Sequence, residues 1–202
     1  LSEYTDGEGT YIFTSSSSIF LTPNKYSARV KSNYSSADKE ETMRFIKTIC
    51  MVFAADILAL FISLTLAGSS ALAVKIVSAV CGIGILAVIL ADYAAVTAKK
   101  DRKEKKESGM KTAFLMGTAA SSPCLLSWGA LRLSLAGGYD YYRVHKIANG
   151  FFIQIFNFIE ADASTKALSA DEVRLMLPLA FVPAAIVIPV YILAFKGRIF
   201  SE

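Results

Sequence analysis

Residues 48–68 read TICMVFAADILALFISLTLAG, and Asp56 is their only charge. At 1.5 Å per residue a helix of this length covers about 30 Å, the thickness of a bilayer's hydrocarbon core. The apolar run opens at about residue 46 and closes at about 67. Three more runs of similar length follow, at about 74–97, 112–135 and 175–195. In lipid each segment must satisfy its own backbone hydrogen bonds, so all four are expected to be helices. Gly68-Ser69-Ser70 is a tight turn, which makes the first two runs an antiparallel hairpin. The expected fold class is all-α. It is an integral membrane four-helix bundle over residues 43–202, with an additional amphipathic interfacial or re-entrant helix between spans three and four.

The whole-chain composition agrees. Of 202 residues 54% are hydrophobic and only 19% charged, against about 25% charged in soluble domains. The mean hydropathy is +0.47. Cys50, Cys81 and Cys124 fall inside apolar runs, with neither metal-ligand spacing nor an even count. They read as small buried hydrophobes.

Lys and Arg set the expected orientation. Between spans two and three, Lys99, Lys100, Arg102, Lys103, Lys105, Lys106 and Lys111 form a basic loop. The short loop at the other end carries Lys75 alone. Arg44 and Lys47 precede span one, and Lys196 and Arg198 follow span four. The long loop 136–173 mixes Arg143, Lys146 and Lys166 with Asp140, Glu160, Asp162, Asp171 and Glu172. The positive-inside rule then places both termini and the basic loop in the cytoplasm. The loop has interleaved acids and no aromatics, so it reads as a topology determinant with a secondary lipid-headgroup contact, and no nucleic acid is expected.

Residues 139–160, YDYYRVHKIANGFFIQIFNFIE, form a fifth apolar segment. Arg143, Lys146, Gly150, Gln154, Asn157 and Ala161 recur at intervals of three and four and make one narrow polar or small stripe. A spanning helix has no need of such a stripe, whereas an interfacial or re-entrant one does. A fifth span would also leave Lys196 and Arg198 outside. Arg143, Lys146, Gln154 and Asn157 are therefore the expected outer interfacial or partner surface. Gly150 is a candidate break between two arms. His145 points off the stripe, towards Phe152 and Ile159, and reads as an interfacial aromatic; the alternative is a proton-coupling role.

Asp56 lies about 13 Å beyond Lys47 along a helix. A carboxylate at that depth costs about 2.5–3.5 kcal/mol on insertion scales, which the surrounding Leu, Ile and Phe offset. Ser121 stands at nearly the same depth beyond Lys111, with Thr118 and Ser122 beside it. Pro123 frees the carbonyl of Ala119. Asp56, Thr118, Ser121 and Ser122 are thus the expected intramembrane polar site, with Asp56 bonded to Ser121 or Ser122. They act as polar glue between helices or, alternatively, as a proton or cation site. Asp92 reads as an ordinary interface residue. Pro178, Pro183 and Pro189 should bend span four. Ser78 with Gly82, and Gly117 with Ser121, suit close helix contacts.

No Walker loop, GxSxG, HExxH, CxxC or dinucleotide fingerprint occurs, and one histidine cannot supply a two-histidine metal site. Neither catalysis nor a cofactor is expected.

From Met43 onward the chain resembles a group of uncharacterised small multi-pass membrane proteins of clostridia-like Gram-positive bacteria. The residues that carry the likeness are Gly109-Met110-Lys111-Thr112-Ala113-Phe114-Leu115 after the basic loop, Ser122-Pro123, Tyr142-Arg143, Asn149, Asn157-Phe158-Ile159, and Pro178 with Pro183. The resemblance implies a bacterial plasma membrane and no particular activity.

Residues 1–42 have no counterpart in that pattern. They are Ser-rich and lack lasting periodicity, with at most a weak strand or hairpin over Thr10 to Leu21. Lys39-Glu40-Glu41-Thr42-Met43 can be encoded AAG GAG GAA ACN ATG, which contains a bacterial ribosome-binding sequence just before ATG. Residues 1–42 are expected to be a non-native N-terminal extension, with Met43 the start, or else a disordered cytoplasmic tail. The function expected from these features is a non-enzymatic accessory or interaction subunit of a membrane complex, bound to the lipid bilayer and to a membrane-protein partner or a second copy. The alternative is a small oligomeric transporter or channel that uses Asp56.

Overall fold

The computed structural model describes residues 3–6, 9–12, 25–66, 71–105 and 109–197. The chain divides into two compact units, Leu1–Met43 and Arg44–Glu202. The first holds an antiparallel hairpin of β1 (Glu3–Asp6) and β2 (Gly9–Ile12), in which Glu3 pairs with Ile12 and Asp6 with Gly9. Of the stretch Thr10 to Leu21, expected as a weak strand or hairpin, residues 10–12 lie in β2, and residues 13–24 lie outside the described ones.

In the second unit every described element is helical. α1 (Lys25–Leu66) begins in the first unit and ends in the second. It is followed by α2 (Leu72–Lys103), α3 (Gly109–Gly137), α4 (Tyr142–Ile147), α5 (Ile153–Ile159), α6 (Ala170–Met176) and α7 (Val182–Phe195). Short 3₁₀ turns occupy Gly150–Phe152, Thr165–Ala167 and Leu177–Phe181. Three stretches are long and apolar enough to cross a membrane: Lys39–Leu66, Leu72–Lys103 and Ala170–Phe195.

The third expected span, α3, is not among them. Its 29 residues are long enough, but Gly117, Thr118, Ser121, Ser122, Pro123 and Ser127 dilute its apolar character. The physical reason lies in its position. α3 packs against α7, α6, α4 and α2, so much of its surface faces protein rather than solvent or lipid. Small and hydroxyl side chains serve such contacts. A Cβ at Gly117 would lie 2.7 Å from Ile188 Cδ1 of α7, so that helix pair closes on a glycine.

Pro123 sits inside α3, and the hydroxyl of Ser122 donates to the carbonyl of Ala119 at 2.9 Å, the acceptor that the proline ring leaves without its amide. The three-proline stretch is broken in the same economical way. Pro178 opens a 3₁₀ turn and Pro183 opens α7. Before them, Ser169 and Glu172 form a reciprocal capping box that starts α6.

The core is continuous. It joins Val52, Ala55 and Ala59 of α1 to Leu86 and Leu90 of α2, Met116 and Leu131 of α3, Phe151, Phe152 and Phe156, and Val187 and Tyr191 of α7. Outside it runs an apolar face on α1, with Phe53, Ile57, Phe61 and Leu64 exposed. Exposed aliphatic and aromatic residues at i, i+4, i+8 and i+11 suit a lipid-facing helix, not a water-facing one.

Candidate functional site

Polar side chains are buried in the second unit at two levels. The first is at the basic end. Arg44 of α1 forms a two-pronged ion pair with Asp101 of α2, and Tyr191 of α7 donates its hydroxyl to the same carboxylate at 2.6 Å. Asp101 and Tyr191 have no exposed surface and Arg44 is 9% exposed. One carboxylate therefore ties three helices together. The ring of Phe195 stacks on Tyr191, and Gly109 at the start of α3 leaves room for that ring.

The second level surrounds Asp56. Its carboxylate accepts the backbone amide of Gly150, with the Phe151 amide as a further donor. Those amides open the 3₁₀ turn Gly150–Phe152, where a helical start leaves N–H groups without intrahelical acceptors. The chain passes so close that a Cβ at Gly150 would run into Leu60. Asp56 is thus a side-chain cap supplied from another helix. On the other flank, Phe151 lies against Gly82 of α2, whose added Cβ would fall 2.7 Å from the Phe151 carbonyl oxygen.

The expected bond from Asp56 to Ser121 or Ser122 is not what forms. Ser121 instead accepts the Ala184 amide at 3.1 Å, at the start of α7 next to Pro183. Ser122 is turned to Ala119, and Thr118 is exposed and bonds Phe114 and Leu115 of its own helix. Backbone groups freed at the ends and breaks of helices claimed the hydroxyls of Ser121 and Ser122, as they claimed Asp56. Depth along the helices placed the four residues at one level, but Asp56 takes its donor from the segment 139–160.

That segment is broken at Asn149–Gly150 into α4 and α5. Its polar stripe does not form an outer surface. Lys146 is buried; its ammonium donates to Asn157 Oδ1 at 2.9 Å, Glu160 O at 2.8 Å, Asp162 O at 3.0 Å and Ala161 O at 3.3 Å. It also lies 4.4 Å from the centre of the Tyr142 ring. Burial pushes this ammonium's pKa below the usual lysine value, while the Glu160 and Asp162 carboxylates oppose that shift. Gln154 is buried too, and Asn157 is half-buried. Of the expected surface residues only Arg143 is exposed; its exposed neighbours are Val144, Ile147 and Phe158. Lys146 precedes the break and turns inwards because the carbonyls of Glu160, Ala161 and Asp162, at the end of the second arm, receive its ammonium.

His145 is likewise no interfacial aromatic. It is 2% exposed, packs its ring against Phe156, and shares a hydrogen bond of 2.9 Å between Nδ1 and Ser127 Oγ of α3. Asn149 closes the cluster by donating to Ser127 Oγ at 3.2 Å and to the His145 carbonyl at 2.9 Å. Burial holds the imidazole neutral, with its pKa pushed down to about 4. At the loop's far side Asp140 accepts the amide and hydroxyl of Thr165, which hold its carboxyl below the usual range. Asp92 is exposed on α2.

No protein-family model matches the chain, and comparison with curated proteins and with solved structures returns no match. The class assigned is therefore the one its own helices define. It is an α-helical chain with three helices long and apolar enough to cross a membrane, consistent with membrane localisation.

Proposed function

We propose that the chain is a non-enzymatic integral membrane protein of four spans, with α3 as the additional span. Tyr139–Glu160 enters from the face opposite the basic loop as a re-entrant element. In this reading both termini are cytoplasmic and the membrane is a bacterial plasma membrane. The observation that carries it is the Asp56–Gly150 contact. Asp56 lies twelve residues beyond Arg44, or about 18 Å along α1. A loop whose tip reaches that depth enters the bilayer, and irregular backbone is tolerated there only when buried in protein. Gly150, Phe151 and Phe152 are buried.

The proposed role is that of an accessory or interaction subunit. Asp56 is buried and its carboxylate receives backbone amides, which favours a structural cap over an ion site. Val144, Ile147 and Phe158 are about half exposed on the outer segment and offer apolar surface to a membrane partner.

Two measurements test this. In cysteine labelling of intact cells, substitutions at Arg143 are expected to react from outside, substitutions at Lys103 only after permeabilisation, and at the buried Phe152 in neither case. A photo-crosslinking residue at Val144 or Ile147 should give a discrete adduct with one membrane protein in native membranes. Crosslinks to lipid alone would reject the subunit role, and labelling of positions 103 and 143 from one side would reject the topology.

A further inference from the structure

We propose that the outward face of α2 around Asp92 docks a transmembrane helix of another membrane protein, one that carries a Lys or Arg at the same depth. The inference rests on the membrane placement above. Asp92 lies between Lys75 and Lys99, which bracket the apolar part of α2. It stands five residues beyond Ala87, the midpoint between them, or about 8 Å off the middle of a hydrocarbon layer about 30 Å thick. Asp56 and Asp101 are both supplied with donors, the first by backbone amides and the second by Arg44 and Tyr191. Asp92 is exposed, and among the described residues no hydrogen bond or ion pair reaches its side chain. Lys99, the next basic residue along α2, is seven residues on, about 10 Å along the axis. An ionisable side chain turned to lipid is costly, and such groups are almost always found paired.

The surroundings of the carboxylate choose the partner. Gly84, Val88 and Asp92 follow at four-residue steps and share one face of the helix. Val88 is 69% exposed, and a Cβ at Gly84 would meet nothing within 4 Å. The glycine thus leaves a notch two turns from the carboxylate, where a second helix can close in. Neither Gly84 nor Val88 has a side-chain oxygen, so this face does not build the oxygen cage that a hard cation takes. The amine of a lipid headgroup stays roughly 7 Å shallower than Asp92. A second copy of this chain, docked through the same face, would set one Asp92 carboxylate against another. A Lys or Arg on a different membrane helix satisfies the carboxylate and removes both charges from lipid together.

The full-length protein is reconstituted in phosphatidylcholine vesicles with a synthetic Leu/Ala single-span peptide that carries one Lys at the depth of Asp92. Association is read by energy transfer. The Lys peptide should associate about tenfold more tightly than the same peptide with Leu or Gln at that position, the scale of a polar contact between helices in lipid. Asp92→Asn should lose that preference. Asp92→Lys should reject the Lys peptide and take one carrying Asp instead. Gly84→Leu should weaken association, because its side chain fills the notch.

Asp92 points away from the bundle, so its variants are expected to fold; if they do not, the peptide series on the wild-type chain decides. Equal association of the Lys, Gln and Leu peptides, a preference that survives Asp92→Asn, no rescue by the charge swap, or self-association of the protein that depends on Asp92 would each overturn the pairing. Asp92→Cys should resist a water-soluble maleimide that labels Lys103→Cys in permeabilised cells. Labelling at position 92 would overturn the inference through the membrane placement it rests on. Failure of the peptide series with position 92 protected would overturn the pairing alone.

Discussion

The carboxylate of Asp56 on α1 accepts the backbone amide of Gly150, 94 residues further along the chain. One side chain thus holds the tip of the segment 139–160 against the middle of the first apolar helix. Asp56→Ala leaves the Gly150 and Phe151 amides buried without an acceptor, at about 1–3 kcal/mol. Asp56→Asn keeps an acceptor oxygen and should cost less. Thermal unfolding in detergent should rank wild type above Asn above Ala. Amide exchange should rise at 149–152 before it rises elsewhere. Equal stability of all three would remove the cap.

The basic end makes a different prediction, because there the partners are charged. Arg44→Ala leaves the Asp101 carboxylate buried with only the Tyr191 hydroxyl of the contacts described above, and breaking a buried ion pair from one side costs about 3–5 kcal/mol. The double variant Arg44→Met with Asp101→Leu should be more stable than either single one. Tyr191→Phe should cost about 1 kcal/mol. A double-mutant cycle on thermal unfolding gives the coupling, and a coupling near zero would mean the pair is not formed.

His145 sets a pH dependence. Its pKa in the folded protein is depressed to about 4, against about 6.5 unfolded. Between those values the unfolded chain binds the proton and the folded one does not. Stability should therefore be full above about pH 6.5 and decline as pH falls towards 4, by up to about 3 kcal/mol. His145→Gln should flatten this slope while the acid limb from Asp140 and other carboxylates remains. A wild-type midpoint constant from pH 7 to 4.5 would contradict the neutral, buried imidazole.

Two glycines of α2 provide a paired control. A Cβ at Gly82 would lie 2.7 Å from the Phe151 carbonyl oxygen, a backbone atom that cannot swing aside, whereas nothing lies within 4 Å of a Cβ at Gly84. Gly82→Ala should be destabilising by about 1–3 kcal/mol, the usual range for overpacking. Gly84→Ala should be neutral or gain about 0.5–1 kcal/mol from helix propensity. Matching effects at the two sites would mean that α2 does not meet the Gly150–Phe152 turn at Gly82.

By itself the sequence determined that apolar helices dominate residues 44–197 and where their apolar stretches lie, but not that α1 starts at Lys25 or that α2 runs on to Lys103. It also located the break at Gly150 and the proline-loosened stretch before α7. These are consequences of local rules: hydropathy over about 20 residues, proline's missing amide, glycine's freedom. It singled out Asp56 as costly and in need of a donor, but not which donor. A buried carboxylate takes the nearest orphaned N–H, and which one is nearest depends on how a loop nearly a hundred residues away is folded. The tertiary structure alone decided that Gly150, not Ser121, meets Asp56, that Lys146 turns into a cage of carbonyls, and that His145 joins Ser127. It also decided that α3 tolerates its serines and proline because neighbouring helices cover them. Hydropathy counts what a helix carries; only packing determines whether protein or lipid receives it.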